Sequence, residues 1–350
     1  MNNLTINRMD SLTLSPATAW LLGECMQARG QQEMWMRQRP EVLVALREQA
    51  MIQSAESSNR IEGVTVAVDR LRPVVLGRVR PLDRPEEELA GYRKALEWIF
   101  SRKRRVPLSV DVIRKFHALA QGGATGDAGQ YKSRNNEIIE ILPGGERRVR
   151  FVPTPAKNTP RAVQALCEAY LYAREIKKLP VLPLIATCVF DLLCIHPFRD
   201  GNGRVSRLLT TFLLIQEGFF VCRYISLERL VEDRKEEYYG ALAQCSTGWH
   251  AGENDVGAWW NFFLSILRKG YGEFSRKVEN ASARSAKSDL LRRAILDQVG
   301  PFALAEILAV VPAASRQLIK KILQAMKQQG AVKLTGRGRG ALWEVTRKKI

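Results

Sequence analysis

The sequence predicts a mainly α-helical fold with one β-hairpin near its middle and a winged helix-turn-helix at its C-terminal end. Apolar residues recur at helical spacing along most of the chain, two short β-branched runs flank a Pro-Gly-Gly turn, and a basic tail combines helices with a second hairpin. A chain of 350 residues is longer than one core usually organises. We therefore expect separate regions at 1–105, 106–272 and 285–350.

The first region reads as helices, and the segment 55–63 ends in Gly63, a residue that can stop a helix. Runs at Ile138–Ile141 and Val149–Val152 surround the turn Pro143–Gly145, which predicts a hairpin. It is the one convincing strand pair in the first 300 residues. Because a lone hairpin in a helical protein is seldom the core, we interpret it as a flap over a site.

The middle region is predicted to be a bundle of helices around one buried helix. The segment Val181–Ile195 is apolar nearly all round, which is typical of a helix at the centre of a core. The other helices are expected at Pro107–Ala120, Pro160–Lys177, Arg204–Gln216, Glu228–Leu242 and Val256–Leu267.

The tail is strongly basic and follows the order of a winged helix-turn-helix. From Arg284 to Lys349 it has 14 Lys and Arg against 4 Asp and Glu, a net charge of +10. The pattern predicts elements at Asp289–Gln298, Phe302–Val310, Ser315–Gln329, 331–335 and 341–345.

Such a module binds either DNA or another protein, and the sequence leaves both partners open. For DNA, Ser315 would cap the recognition helix and Arg316, Lys320 and Lys321 would face phosphates or bases. The wing tip, with Arg337 and Arg339, would suit a minor groove.

Composition indicates which kinds of partner the protein binds and in which cellular compartment it is expected. The formal net charge of +18 favours anionic partners such as nucleotides or nucleic acid, although a merely solvated basic surface gives the same number. Six scattered cysteines without a Cys-x-x-Cys pair predict reduced core residues in a cytoplasmic protein. Residues 1–16 lack the pattern of a signal peptide, and the apolar runs are interrupted by Asp191 or Pro312, so no membrane association is expected.

The chemistry is concentrated in the twelve residues His196 to Arg207, which read HPFRDGNGRVSR. Pro197 disfavours helical geometry at His196, so the buried helix must end there. Gly201 and Gly203 permit a tight turn before the next helix. Free backbone N–H groups at a helix N-terminus form a ready site for an anion.

The side chains of this loop suit phosphoryl or nucleotidyl transfer. Arg204 and Arg207 lie three residues apart and can bind phosphate oxygens. Asp200 offers a hard oxygen ligand for Mg²⁺, and His196 has the pKa of a general base. Each feature alone has an ordinary structural interpretation as a turn or a solvated face, but the joint pattern is specific.

This loop resembles the motif of the Fic family, His-x-Phe-x-Asp/Glu-Gly-Asn-Gly-Arg-x-x-Arg, and matches it at every defined position. The segments 129–132 and 151–153 resemble the start and the end of the family's flap, and the likeness extends from about residue 50 to 270. The resemblance implies a Fic-type helical bundle as the catalytic core, with the hairpin as a flap that pins a target segment by strand addition.

The resemblance implies a protein adenylyltransferase that moves AMP from ATP, with Mg²⁺, to a Ser, Thr or Tyr hydroxyl of a target protein. His196 would deprotonate the hydroxyl, and Asp200 would hold the metal. Arg204 and Arg207 would neutralise the β- and γ-phosphates. The implied ATP-binding positions are Asp200, Gly201, Asn202, Gly203, Arg204, Val205, Ser206, Arg207, Tyr239, Ile138, Ile139, Glu140 and Ile141.

An inhibitory segment is also implied, because Ser58-x-x-x-Glu62-Gly63 resembles the family's inhibitory motif. In such proteins the glutamate pairs with the second arginine of the loop, here Arg207, and denies it to the γ-phosphate. Two other functions stay open: removal of AMP by the same loop, and a DNA-binding regulator with an ancillary Fic core. The target and a homo-oligomeric state are also open.

Overall fold

The computed structural model describes residues 3–38, 40–101, 105–121, 127–141, 145–298, 300–335 and 341–346. The chain divides into two compact units, Met1–Ser275 and Arg276–Ile350. The boundary predicted at about residue 105 separates no compact unit here and stays a prediction.

The first unit is a helical bundle with one hairpin. Its helices are α1 (Ile6–Met9), α2 (Pro16–Gln38), α3 (Pro40–Ile61), α4 (Val68–Val75), α5 (Arg84–Ser101), α6 (Val110–Ala120), α7 (Thr159–Glu175), α8 (Val181–Ile195), α9 (Asn202–Gln216), α10 (Leu227–Glu232), α11 (Lys235–Ser246) and the first part of α12 (Gly257–Leu296), whose residues from Arg276 onward belong to the second unit. Its strands are β1 (Ile138–Ile141) and β2 (Arg147–Phe151).

The core forms around α8, which is buried on all sides and packs between α7 and α9. Its one carboxylate, Asp191, accepts hydrogen bonds from the backbone and side-chain nitrogens of Asn3 and from Trp249 Nε1. Burial raises the pKa of Asp191 to about 7, although these three donors favour the ionised form. Asp191 therefore ties residue 3 and residue 249 to the central helix.

Strands β1 and β2 pair antiparallel, as the sequence predicts, with Ile139 opposite Val149 and Ile141 opposite Arg147. Residues 142–144 of the predicted turn lie outside the described residues. Lys132 N–H donates to the Pro197 carbonyl at 2.9 Å, which attaches the segment before β1 to the loop that follows α8.

The two largest differences from the sequence prediction concern α10 to α12, while other helix ends shift by up to three residues. The segment expected as one helix at Glu228–Leu242 is divided into α10 and α11, because Arg234 leaves helical geometry at φ −128° and ψ 38°. The helix expected to end at Leu267 continues to Leu296 as α12. No proline interrupts it, and Gly270 lets the Leu227 side chain of α10 approach closely.

The second unit contains α13 (Leu304–Val310), α14 (Arg316–Gln328), β3 (Val332–Thr335) and β4 (Leu342–Val345), with β3 and β4 antiparallel. Its core includes Leu291, Phe302, Ile319 and Trp343. The proposed wing-tip residues Arg337 and Arg339 lie outside the described residues, and the winged helix-turn-helix stays a prediction.

Two wider features concern the whole chain. All six cysteines are buried and free of disulfides. Within the described ranges, no helix combines the length and the apolar character needed to cross a bilayer.

Candidate functional site

The loop between α8 and α9 is held by unusual backbone conformations and by its own side chains. His196 caps α8 in the left-handed region, with φ 51° and ψ 61°, and Gly201 precedes α9 with φ 77°. The Asn202 side chain accepts from Phe198 N–H at 2.9 Å and donates to the Phe198 carbonyl at 2.8 Å. Asn202 therefore fixes the turn, and its amide is occupied within the loop.

His196 is in the protonation state that a general base needs. Burial is the main cause that lowers its pKa to about 4; the hydrogen bond to the Leu193 carbonyl opposes this shift, and the charge of Lys132 adds to it. Nδ1 lies 3.3 Å from that carbonyl oxygen, which assigns the ring proton to Nδ1. Nε2 is then left with a lone pair that can accept a proton.

Arg204 is buried at the start of α9 and is held by carboxylates from other elements. Its Nη1 lies 2.7 Å from Glu88 Oε2 on α5, and its Nη2 lies 3.6 Å from Asp200 Oδ2. The Asp200 side chain is 54% exposed and also faces Arg84 Nη2 at 3.3 Å. Asp200 is thus the solvent-facing carboxylate of this cluster.

Arg207 is bound to the end of α3 by three hydrogen bonds. Its Nε donates to Ser58 Oγ at 2.8 Å, and its Nη2 donates to the Ser58 carbonyl at 2.8 Å and to Glu62 Oε1 at 2.7 Å. The Glu62 carboxylate lies so close to Gly203 that a β-carbon there would collide with it. Glu62 therefore places a negative charge beside the first turn of α9.

The site contains polar hydrogens without acceptors. Arg204 Nε and Arg207 Nη1 are buried, and among the described residues neither has a hydrogen-bond partner. The first N–H groups of α9 have no intrahelical carbonyl, and none of the side chains that the structure describes caps this end. Buried donors normally find acceptors, so this arrangement fits an anion that binds at the N-terminus of α9.

A cavity of about 460 Å³ lies beside this helix end. Seven of the residues that the sequence analysis assigns to the site line this cavity: Glu62, Ile138, Ile139, Glu140, His196, Gly203 and Tyr239. Of Ile141 only the backbone is described. The Val205 side chain is fully buried, and Ser206 Oγ donates to the Gly203 carbonyl at 2.8 Å. The Val205 side chain packs in the core and the Ser206 hydroxyl bonds within α9, so only the backbone of these two residues remains available to a ligand.

Sequence reasoning missed Glu88, Asn59, Arg150 and His117. Glu88 and Asn59 contact Arg204, and Arg150 lines the cavity. His117 stacks on Phe198 with ring centroids 3.9 Å apart, and its Nε2 lies 3.2 Å from the Asp200 carbonyl oxygen. These residues come from α3, α5, α6 and β2, and no local spacing links them to the loop. The one available signal was that His117 is one of three histidines in the chain.

Comparison with known proteins finds similarity between the segment that carries this site and one protein family. Residues 107–214 match the family model of the Fic/DOC family. The protein adenylyltransferase Fic of Nematostella vectensis is 26% identical over 208 residues, which cover 57% of this chain and 44% of that protein. The chain thus spans less than half the length of this relative.

Solved structures share the fold at low sequence identity. A Fic family protein from Desulfovibrio desulfuricans G20 aligns over 97% of this chain and 98% of its own, with a TM-score of 0.61 and 22% identity. A Fic domain containing signaling protein from Bacteroides thetaiotaomicron VPI-5482 aligns over 73% of this chain and 98% of its own, also at 0.61 and 22%. The chain therefore shares the fold of these solved Fic proteins, and the segment 107–214, which carries His196 to Arg207, matches the Fic/DOC family.

Proposed function

We propose that the chain is a protein adenylyltransferase that transfers AMP from ATP to a Ser, Thr or Tyr hydroxyl and that Glu62 inhibits it. The observation that carries the proposal is the anion site at the start of α9, where Arg207 is held by a carboxylate of the same chain. Relatives named protein adenylyltransferase support the choice of reaction.

Binding would be dominated by the phosphates. The Arg204 guanidinium lies beside Gly201 and the Arg207 guanidinium beside Gly203, so both face the turn before α9. Each has one buried nitrogen without an acceptor among the described residues. Tyr239, together with Ile138 and Ile139 of the hairpin, lines the adjoining cavity and would contact the nucleoside and the target segment. Positioning and charge neutralisation supply most of the rate in such transfers.

The residues present fit a magnesium ion that is held mainly by the nucleotide. Among the described residues, no three His, Cys, Asp or Glu side chains are grouped to bind a metal. Asp200 is exposed beside the anion site and offers one hard oxygen ligand, while phosphate oxygens and water would complete the set. A bound Mg²⁺ would supply neutralisation of charge on the leaving pyrophosphate.

His196 would accept the proton of the target hydroxyl at Nε2 while that oxygen attacks the α-phosphorus. Its neutral state and its position in the cavity support this role. Pyrophosphate would leave on the side of Arg204 and Arg207.

Glu62 would inhibit because its carboxylate occupies the place of a phosphate. It pairs with Arg207, and it lies against Gly203 at the helix N-terminus, where an anion is favoured. The triphosphate could bind only in a pose that keeps its γ-phosphate away from Arg207, so the α-phosphorus would not be in line with the target hydroxyl.

The test is self-modification with ATP and Mg²⁺, measured by intact-protein mass spectrometry. We expect Glu62→Gly to raise the rate of AMP addition roughly ten- to hundredfold, as removal of a charge-assisted hydrogen bond implies. Glu56→Ala, within α3 and paired with the exposed Arg60, keeps the helix and is the control; it should match the wild type.

A second substitution tests the base. In the Glu62→Gly background, His196→Ala should abolish labelling while ATP binding persists. The inhibitory role of Glu62 is excluded if Glu62→Gly binds ATP but modifies itself no faster than the wild type does. Release of AMP from a pre-modified target, measured on the same variants, would show that the same loop catalyses the reverse reaction.

A second candidate function concerns the second unit, which we propose binds duplex DNA. Along α14 the exposed positions are Arg316, Gln317, Lys320, Lys321, Gln324, Lys327 and Gln328. The helix contains no Asp or Glu, and Ser315 Oγ accepts from Leu318 N–H to cap it. A helix face of cations and amides suits phosphates and base edges.

A further inference from the structure

Arg150 occupies an irregular position in the hairpin. Ile138 pairs with Phe151, but the next residue of β1, Ile139, pairs with Val149. Arg150 is therefore the extra residue of a β-bulge on β2. Bulges of this kind turn a side chain away from the direction that a regular strand would give it, and they are common beside active sites.

The Arg150 side chain lines the same cavity as Glu62, His196, Gly203 and Tyr239. Its charge lowers the pKa of both His196 and Tyr239, which places the guanidinium near these two groups. The base of the hairpin is fixed by Phe151, which stacks on His250 with centroids 5.5 Å apart. Arg150 is thus presented to the cavity from an anchored strand end.

Among the residues that the structure describes, the Arg150 guanidinium has no acceptor. Its Nε is removed from solvent and has no hydrogen-bond partner among the described residues, and Arg150 forms no ion pair with any carboxylate of those residues. A buried donor without an acceptor costs about 1–3 kcal/mol. A ligand bound in the cavity would supply the missing acceptor and remove this cost, which explains why the unpartnered nitrogen lies there.

Two other arginines with a buried, unpartnered Nε show the contrast. Arg93 pairs with Glu97 through Nη1 at 3.2 Å, and Arg223 lies over the rings of Phe100 and Phe220. The charge of each is therefore satisfied within the protein. Arg150 combines the same unpartnered nitrogen with an unpaired charge and a place in the cavity.

We propose that Arg150 binds the phosphate group that is transferred, the α-phosphate of the nucleotide. This inference rests on the proposed function. Arg204 and Arg207 belong to α9 and serve the leaving phosphates, whereas Arg150 approaches from the hairpin on the side of His196. The attacked phosphorus must lie next to the hydroxyl whose proton passes to His196 Nε2.

In the transfer, the target oxygen forms a bond to the α-phosphorus, and the bond from that phosphorus to the bridging oxygen breaks. The electron pair of the broken bond leaves with pyrophosphate, and the hydroxyl proton goes to His196. Charge accumulates on the non-bridging α-oxygens in the transition state. Arg150 is placed to bind these oxygens, a contact that strengthens as the charge develops.

The experiment measures equilibrium binding of adenosine, AMP and ATP by calorimetry in the Glu62→Gly protein, with Arg150→Gln, Arg150→Lys and Arg148→Gln added singly. Arg148 is exposed on the same strand and does not line the cavity, so it is the matched control. We expect Arg150→Gln to weaken the binding of AMP and of ATP by the same factor, roughly ten- to hundredfold. The affinity for adenosine should stay unchanged. Arg150→Lys should retain part of the affinity for AMP and ATP that Arg150→Gln loses. Arg148→Gln should leave the affinities for adenosine, AMP and ATP unchanged.

The outcomes separate this inference from the proposed function. If the Glu62→Gly protein binds neither ATP nor AMP, the proposed function fails. If it binds both and Arg150→Gln binds them equally well, Arg150 is not a phosphate ligand and the proposed function stands. A loss confined to ATP would assign Arg150 to the leaving phosphates, and an equal loss for adenosine would assign it to the nucleoside or to the shape of the cavity; either result overturns the inference.

Discussion

The protonation of His196 determines the pH at which the proposed enzyme can work. A base must be neutral to accept a proton, and burial lowers the pKa of His196 to about 4 from an ordinary 6.5. A lowered pKa leaves the neutral form dominant above about pH 4. Activity is therefore retained through the range in which an exposed histidine would become protonated.

We predict that kcat/KM for ATP in self-labelling by Glu62→Gly shows no acid limb near pH 6.5 and falls only as the pH approaches about 4. The measurement is the labelling rate at limiting ATP between pH 5 and 8, with circular dichroism to verify folding at each pH. A half-maximal rate near pH 6.5 would contradict the assignment of His196 as a buried neutral base.

At the scale of elements, the position of α3 determines whether Glu62 reaches Arg207. A buried contact and an exposed contact join α3 to α10. Ser54 Oγ donates to Glu228 Oε2 at 2.7 Å, and Tyr92 of α5 donates to the other oxygen of Glu228 at 3.0 Å. Arg60 pairs with Glu232 at the surface. Buried hydrogen bonds to a carboxylate contribute more than an exposed ion pair.

We predict that Glu228→Ala partly relieves inhibition although Glu62 is intact. Loss of the buried acceptor should lower the stability of the first unit by about 1–3 kcal/mol, because the hydroxyls of Ser54, Tyr92 and Ser226 all donate to it. Self-labelling should rise severalfold, while the control Glu232→Ala should stay within about twofold of the wild type. Thermal melts and mass spectrometry provide the two readouts. If Glu228→Ala lowers the stability without raising the labelling rate, the packing of α3 against α10 does not limit activity.

At the scale of the whole molecule, charge is unevenly distributed along the chain. The 66 residues from Arg284 to Lys349 carry +10 of the formal net charge of +18. Phosphate contacts by Lys and Arg release counterions, so binding that depends on them weakens steeply as salt increases. The second unit is therefore the part of the chain where DNA binding should reside.

We predict that the full chain shifts duplex DNA in a gel at low salt and that Lys320→Gln with Lys321→Gln reduces the affinity. The slope of log K against log salt should decrease by about 1 to 2, one contact per lysine. The control replaces Lys94 and Lys157, two exposed lysines of the first unit, with glutamine. Binding that is unchanged by the α14 substitutions would favour a protein partner for this unit.

The sequence predicted those parts of the fold and site that depend on neighbours along the chain. The apolar segment Val181–Ile195 is α8 with the predicted bounds, and the hairpin strands pair as expected. The division between α10 and α11 was missed because Arg234 carries no proline or glycine signal. Contacts such as Glu88 with Arg204 were also missed, since 116 residues separate the two and only the packing of α5 on α9 joins them.

The covalent attachment of Glu62 has a consequence for how the proposed enzyme would respond to its surroundings. An inhibitor that belongs to the same chain keeps its local concentration on dilution, and free nucleotide must compete with it at every protein concentration. Only 29% of the Glu62 side chain is exposed, so a solute gains little access to it while α3 stays in place. Activation would then follow from a displacement of α3 by a partner or a modification, and the abundance of the protein would not by itself turn it on.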